Sequence, residues 1–359
     1  NPSGEYPVDD PLIRMNCDIL EPLCGAGTKL QLRARLVRED GAALPRLRRL
    51  TASLRNRSLP EIPTGESMVE DMPAEKILEV PACSQMVRDP EIGNIICNPT
   101  TMTVLLAGRG TQVLPEEMGL SCVDLVEGFG NWTYAAAAVG MYGYRAYARF
   151  GDYDLLRREI AAGRSVGVSV HYANSREKAE ERNLPYLEGA PCTTPGHILT
   201  VRGFGTEEGQ EYVYVCDSAA ERDEEAHLRY RKEQFLEAWS GRLCYLVDAE
   251  PETQEGLSVP AFQDVRVKKT SSGRYQWVLQ ERPFPVFPEM LTEKRRVPGR
   301  MTMMIRARRE YPNPRMDAND CFLYPQPESD GSFVLPAGDW TLYLMSNTGE
   351  RWRAYQTEL

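Results

Sequence analysis

Apolar and polar residues alternate with period two along "TKLQLRARLVRED" (28–40) and again along "LRRLTASLRNR" (47–57). The first run stops at the turn signal Asp40-Gly41. Residues 1–75 are therefore expected to form a β-rich unit, with the proline- and acid-rich "LPEIPTGESMVEDMPAEK" (59–76) as a linker or covering loop. From about residue 76 the period changes. "PTTMTVLLAG" (99–108) reads as a helix, with Pro99 suited to its first turn and Gly108 near its stop. "GNWTYAAAAVGMYG" (130–143) is a second helix, small and apolar. "DYDLLRREIAAGRSVGVSVHY" (152–172) predicts a helix capped by Asp152 and ended by Gly163, running into a buried strand at 165–171. Two strands follow, "HILTVRGFG" (197–205) and "EYVYVCDSA" (211–219), joined by the turn "TEEGQ" (206–210). "LRYRKEQFLEAWSG" (228–241) is a strand end and a helix, and "RLCYLVDA" (242–249) is the closing strand. Helices followed by an antiparallel sheet predict an α+β domain over 76–250.

Beyond it, "EPETQEGLSVP" (250–260) reads as a linker. Residues 260–359 are strand-like and proline-punctuated, with a turn at Ala337-Gly338-Asp339, and predict a β-sandwich or small sheet domain. At 359 residues the chain is long enough for two or three such domains. No repeat or low-complexity tract interrupts them.

Charge narrows the classes of partner. The formal net charge is −10, and 25 Asp and Glu face 16 Lys and Arg over residues 80–250. Such a surface repels phosphate backbones, so a nucleic-acid partner is not expected. The basic stretch "EKRRVPGRMTMMIRARRE" (293–310) alternates with apolar residues and reads as the solvated face of a strand. No apolar run approaches the ~18 residues of a membrane span. The opening "NPSGEYPVDD" has neither a Met nor a signal-peptide core, so a trimmed or mature form is expected. Nine cysteines, at 17, 24, 83, 97, 122, 192, 216, 244 and 321, form no C-x-x-C pair. This is not a disulfide scaffold, and the usage leans toward a reducing, cytoplasmic compartment, with secretion of a trimmed form the alternative. Oligomeric state leaves no sign in the sequence.

The candidate chemistry starts from "GNIICNPTTMTVLLAGRG" (93–110), where Cys97 stands at the threshold of a helix. Unpaired N–H groups there favour a thiolate, although a buried cysteine at a helix start is the commoner arrangement. Three histidines are available. His171 ends a buried strand, His227 sits in the charged run "RDEEAHLRY", which reads as solvated, and His197 starts a strand after Pro195-Gly196. Asp217 ends the next strand as either a turn former or a buried partner. If 197–204 and 212–217 form a hairpin, Asp217 and His197 lie at the same end of it. Gln85, in "VPACSQMVRD", could donate to an oxyanion beside the backbone N–H of Cys97, or be a surface residue. The 24 residues "ANSREKAEERNLPYLEGAPCTTPG" before His197 read equally as a surface loop with a helical turn or as a lid.

These residues carry a family resemblance. From "LEVPACSQM" through "IICNPTTMTVLLAGRG", "GNWTYAAAAVGMYGYRAYARF" and "EIAAGRSVGVSV" to "LEGAPCTTPGHILTVRGFG", "YVYVCDSAA" and "YRKEQFLEAW", the chain resembles the bacteriocin-processing-peptidase-like branch of the papain-like cysteine peptidases. This is cysteine peptidase family thirty-nine. The resemblance spans roughly 79–248 and implies a papain-like α+β core in a bacterial protein, flanked by the two β-rich units. It implies Cys97 as nucleophile and His197 as general base, within Gly-His-x-x-x-Val-x-Gly. Asp217 then orients the imidazole, and Gln85 serves as oxyanion donor. It further implies a peptide or protein substrate and no metal or organic cofactor. Two positions depart from the family pattern: Cys97-Asn98-Pro99 replaces Cys-Gly-Pro or Cys-Ser-Pro, and Asp217-Ser218 replaces Asp-Pro. A cysteine peptidase or amidase is the expected function. A peptide-binding module of the same fold without turnover, and an acyltransferase using the same thioester, are the alternatives.

Overall fold

A computed structural model describes residues 72–248 apart from 89–91 and 124–127. Before them it describes 11–16, 19–23, 29, 31–34, 36, 38, 41, 47 and 50–56. After them it describes 265–279, 282–283, 303–309, 322–323, 328, 330, 332–335, 340–347 and 352–358.

The N-terminal stretch contributes one hairpin, β1 (Ile13–Asn16) with β2 (Ile19–Pro22). The strands expected within 28–40 and 47–57 are not formed at their described residues, where Leu32, Leu36, Leu47, Leu50 and Leu54 stand exposed. Alternation makes a strand only where a neighbour accepts its hydrogen bonds and one face finds a core. Residues 53–55 instead attach to the α+β core: Phe150 N–H donates to Ser53 Oγ (2.8 Å) and Arg55 donates to the carbonyl of Gly241 (2.7 Å).

The core runs in the order β3 (Lys76–Ile77), α1 (Cys97–Ala107), α2 (Pro115–Cys122), α3 (Trp132–Gly140), β4 (Arg145–Phe150), α4 (Tyr153–Ala161), β5 (Val166–Tyr172), α5 (Arg176–Arg182), β6 (Thr194–Glu207), β7 (Gln210–Cys216), β8 (His227–Arg231), α6 (Lys232–Ala238) and β9 (Leu243–Asp248). The sheet is antiparallel, in the order β4-β9-β5-β6-β7-β8, with β3 added on β6. Two apolar clusters fill its faces. Along β9, Cys244 and Leu246 join one cluster with α4 and α6, while Tyr245 and Val247 join the other with α1, α2 and α3. The period of two therefore places both sides of one strand in core, as the unbroken run "LCYLV" requires.

Local signals set the elements around the site. Asp152 caps α4 by accepting from Leu155 N–H (2.7 Å), and Gly163 follows the helix at φ +80°. Asn131 caps α3 through the N–H groups of Thr133 and Tyr134. α2 carries no expectation from the sequence; Pro115 in its first turn and Glu116 and Glu117 against its N-terminal dipole account for it. The β6–β7 turn is Glu208-Gly209, both in the left-handed region at φ 51° and 82°, which fixes Glu207 opposite Gln210 and so the whole register. His227, expected in a solvated run, is instead half-buried in β8 opposite Cys216.

α1 is buried nearly all round from Asn98 to Leu106. It lies against β5 because residue 167 is glycine: a Cβ there would stand 2.9 Å from Thr101 Cγ2 and 3.3 Å from Tyr245 Cβ. Gly167→Ala is therefore expected to cost about 1–3 kcal/mol by overpacking, read as a lower urea midpoint at unchanged slope. An unchanged midpoint would show that α1 is free to shift.

The C-terminal residues form two further antiparallel sheets. One contains β10 (Val265–Lys269), β11 (Tyr275–Leu279), β12 (Arg282–Pro283) and β15 (Ser332–Phe333). The other contains β13 (Met303–Arg309), β14 (Phe322–Leu323), β16 (Trp340–Asn347) and β17 (Trp352–Glu358). The basic stretch thus supplies strand β13, while the 250–260 linker and the turn at 337–339 lie outside the described residues.

Candidate active site

All four residues singled out by sequence meet at the end of the sheet where β6 begins and β7 ends. Cys97 is the first residue of α1, whose N-terminus has no side-chain cap and no acidic residue in its first turn. Nothing on the helix itself competes with a thiolate for the positive end of the dipole. Thr101, one turn on, donates its hydroxyl to the carbonyl of Ile198 (3.0 Å), which ties the Cys97 helix to the residue beside His197.

His197 owes its position to an irregularity. Val170 pairs with His197 and Tyr172 with Thr194, so β6 carries one residue more than β5 across that interval. The extra residue falls at Pro195-Gly196, where a proline without an N–H can leave the ladder. The resulting bulge sets the imidazole at the sheet end, beside the Cys97 thiol. Its Nε2 lies 2.8 Å from Asp217 Oδ1, so Nδ1 is the nitrogen left for sulfur.

Asp217 is fully buried. Its Oδ1 also accepts from Ala219 N–H (3.0 Å), and its Oδ2 accepts from the hydroxyls of Tyr172 (3.1 Å) and Tyr230 (2.8 Å). A buried carboxylate needs this many donors to stay ionised. Burial pushes Asp217 up, but the charge and hydrogen bond of His197, then Tyr230 and the Ala219 N–H, hold it below the usual aspartate range. For His197, burial disfavours the charged ring; the charge and hydrogen bond of Asp217 and the contact with Cys97 outweigh it and carry the imidazole well above its ordinary value.

Cys97 balances the same terms. Burial raises its thiol, yet the hydrogen bond and charge of His197, with backbone hydrogen bonds from Ile198 and Asn98, bring it below the ordinary thiol value. Cys83, Cys216 and Cys244 go the other way, pushed up to about 12 by burial, and Cys192 is also raised. Among these five described cysteines Cys97 alone favours the thiolate. The described cysteines are all free thiols.

Gln85 is buried and held at three points. Its backbone N–H donates to the Ser218 carbonyl (2.8 Å), its side-chain N–H donates to the Gly93 carbonyl (2.8 Å), and its Oε1 accepts from the Ser218 hydroxyl (2.8 Å). One N–H of the amide remains for another acceptor. Ser218 thus supplies the hydroxyl that fixes which way the amide points. Neighbouring bonds stiffen the segment: Ser84 N–H donates to Asp223 Oδ1 (2.6 Å), and Arg88 makes a buried ion pair with Glu116 (2.7 Å) at the start of α2.

Sequence reasoning did not reach Tyr172, Tyr230, Thr101 or the hydroxyl role of Ser218. The tyrosines read as ordinary apolar positions of β5 and β8, and only the departure at 218 carried a signal. The segment before His197 is fastened rather than free. Ala173 N–H donates to the Pro185 carbonyl, Leu187 N–H donates to the Ala173 carbonyl, and Thr193 Oγ1 donates to Asn174 Oδ1 (2.8 Å). Leu187 is buried in the core, so the geometry is that of a surface loop with the helical turn α5. Among the described residues no group of three or more His, Cys, Asp and Glu could hold a metal ion, and no helix is long and apolar enough to cross a membrane.

The chain is similar to digestive procathepsin L 3 of the Tenebrio molitor larval midgut, at 12% identity over 53% of this chain and 73% of that one, with a TM-score of 0.35. It is also similar to procathepsin B S9 from Trypanosoma congolense, at 14% identity over 57% and 87%, again with a TM-score of 0.35. Digestive procathepsin L2 proteinase from the same Tenebrio molitor tissue matches at 16% identity over 52% and 71%, with the same TM-score of 0.35. None of the curated proteins compared matches the chain. The model of the Peptidase_C39 like family matches residues 77–245, from the strand before Gln85 to the closing strand of the core. Over residues 77–245 the chain is similar to the Peptidase_C39 like family.

Proposed function

We infer that the chain is a cysteine peptidase or amide hydrolase, with Cys97, His197 and Asp217 as its triad and Gln85 as an oxyanion donor. The observation that carries this reading is the Cys97 thiol set beside His197, whose other nitrogen is hydrogen-bonded to a buried, four-fold-bonded Asp217. A thiol lowered beside an imidazole raised is the charge arrangement that thiol hydrolysis requires.

Each residue then has a step. The Cys97 thiolate attacks the substrate carbonyl carbon, and the carbonyl electrons move onto oxygen, which takes the remaining N–H of Gln85 and a backbone N–H at the start of α1. His197 passes its Nδ1 proton to the departing nitrogen as the C–N bond breaks, leaving a thioester on Cys97. Water then gives a proton to His197 and attacks the thioester, releasing the acid and restoring the thiolate–imidazolium pair. Asp217 stabilises the imidazolium without exchanging its proton. Residues 1–75 and 260–359 carry none of these groups, and we read them as accessory β-rich domains around the 76–250 catalytic unit.

Incubating the full chain with a proteome-derived peptide pool and sequencing new termini tests the reading. New amino termini that vanish with Cys97→Ala are the expected result. Products joined to an added amine in place of water would make the chain a transferase. No Cys97-dependent product from a chain that binds peptides would make it a binding module.

A further inference from the structure

The turn that enters β9 gathers three unfavourable features on one arginine. Trp239-Ser240-Gly241-Arg242 links α6 to β9; Arg242 N–H donates to the Trp239 carbonyl (3.2 Å), and the Arg242 carbonyl accepts from Gly151 N–H (2.9 Å). Pinned on both sides, Arg242 stands in the left-handed region at φ +57°, where glycine or asparagine is the usual residue. The other described non-glycine residues at positive φ, Asn183 and Glu208, end a helix and make a hairpin turn. The second feature is the side chain itself. Arg242 Nη1 is buried and has no hydrogen-bond partner among the described residues. Buried donors are almost always paired, and those on charged groups are the most costly to leave unmade. The third is a like charge. Arg55 reaches the same turn, donating from Nη1 to the carbonyls of Gly241 (2.7 Å) and Ser240 (3.4 Å). Burial and then the charge of Arg55 bring Arg242 below the ordinary arginine value. Asp152 opposes this, but it caps α4 through Leu155 N–H (2.7 Å) and makes no ion pair with Arg242.

Aromatic faces hold the two cations where they are. Arg242 Cζ lies 5.2 Å from the centroid of the Trp239 ring, and Arg55 Cζ lies 5.9 Å from that of Phe150. Trp239 is fully buried and its indole N–H donates to the Leu243 carbonyl (3.0 Å), so the platform under Arg242 is fixed. We propose that Arg55 and Arg242 form a binding site for a small, doubly charged oxyanion of the phosphate or sulfate type, which fastens the 53–55 segment to the α+β core. Arg55 is exposed and Arg242 half-buried, so the anion reaches both from the solvent side. It relieves the repulsion between the guanidiniums and supplies the acceptor that Arg242 lacks, in the geometry for which their planar forks are suited. A monocarboxylate answers only one of the two charges. The site lies on the β4–β9 side of the sheet, whereas His197 and Asp217 lie on β6 and after β7. It depends on no part of the peptidase reading.

Calorimetric titration of the full chain with inorganic phosphate, at constant ionic strength and at a pH where phosphate is mainly the dianion, tests this. Saturable binding at one site is expected, with a Kd of about 1 mM or tighter. Arg242→Asn keeps a residue suited to the left-handed turn, and Arg55→Gln changes only an exposed side chain, so both chains should fold. Each should bind phosphate at least about tenfold more weakly. Sulfate should compete with phosphate, and acetate at the same concentration should not. Phosphate stabilises folded chains in general by exclusion from their surface, so the site is read from the urea midpoint of the unsubstituted chain relative to the two variants. Fastening has its own readout. Phe150 N–H, which donates to Ser53 Oγ, should exchange more slowly with phosphate present, in the unsubstituted chain only. A folded chain that gives no saturable phosphate binding, an affinity untouched by both substitutions, or acetate that binds as tightly as phosphate overturns the site. Binding that leaves the exchange of Phe150 unchanged overturns the fastening.

Discussion

Cys97→Ala is expected to abolish peptide turnover, a loss of more than about a thousandfold, while the unfolding midpoint stays within about 1 kcal/mol of the unsubstituted chain. The reason for the first number is covalent: alanine leaves nothing to form the thioester, and His197 and Gln85 cannot replace it. The reason for the second is packing. Cys97 is only partly buried at the edge of the α1 cluster, and the first turn of α1 keeps its contacts, including Thr101 on the Ile198 carbonyl. Cys97→Ser should behave alike, because a hydroxyl far above its working pH range in pKa gains little from the imidazole. Turnover that persists in both variants would place the nucleophile elsewhere in the chain.

Asp217→Asn should be slower by about ten- to a hundredfold in kcat/KM, corresponding to about 1–3 kcal/mol of lost imidazolium stabilisation. Asparagine keeps one oxygen. If that oxygen accepts from His197, the amide N–H groups face Tyr172 and Tyr230, whose hydroxyls can rotate to accept them. Orientation of the ring then survives and its charge partner does not. Asp217→Ala removes both, leaving two buried hydroxyls and an imidazole without their acceptor, at about 1–3 kcal/mol for each uncompensated group. Urea titration separates the losses: asparagine should mainly slow turnover, alanine should also lower the midpoint. The acid side carries a sign. Because the folded Asp217 is depressed, its contribution to stability is complete above the ordinary aspartate value and is lost as pH falls through the folded one. Full activity in Asp217→Asn beside an inactive His197→Ala would make Asp217 a turn residue.

The sequence conveyed much of this site because two short-range signals happened to fix long-range geometry. Glu208-Gly209 admits one tight turn, that turn sets the β6–β7 register, and the register puts Asp217 beside His197. Pro99 and the apolar run behind it placed a helix start at Cys97. What supports these groups was not legible. Tyr172 and Tyr230 reach Asp217 from two strands that are not neighbours, and no local pattern separates a tyrosine with such a partner from one that only packs. Gln85 presented a similar difficulty, since its orientation depends on Ser218, 133 residues away. At the described residues of 28–40 and 47–57 no strand forms, for the converse reason: period-two alternation is present, but pairing is a property of two segments.

The most direct test of the central claim, a thiolate at Cys97 maintained by His197, is the pH dependence of Cys97 alkylation. Iodoacetamide labelling is followed by peptide mapping from about pH 5 to 9, in the full chain and in His197→Ala. The thiolate–imidazolium pair exists between the lowered thiol and the raised imidazole. Cys97 should therefore label ahead of Cys83 and Cys192 at about pH 6, with its rate falling only on the acid side of that window. In His197→Ala the rate at about pH 6 should drop at least tenfold and recover only toward the ordinary thiol range. Labelling of Cys97 no faster than its neighbours at about pH 6, or a profile untouched by His197→Ala, would contradict the account.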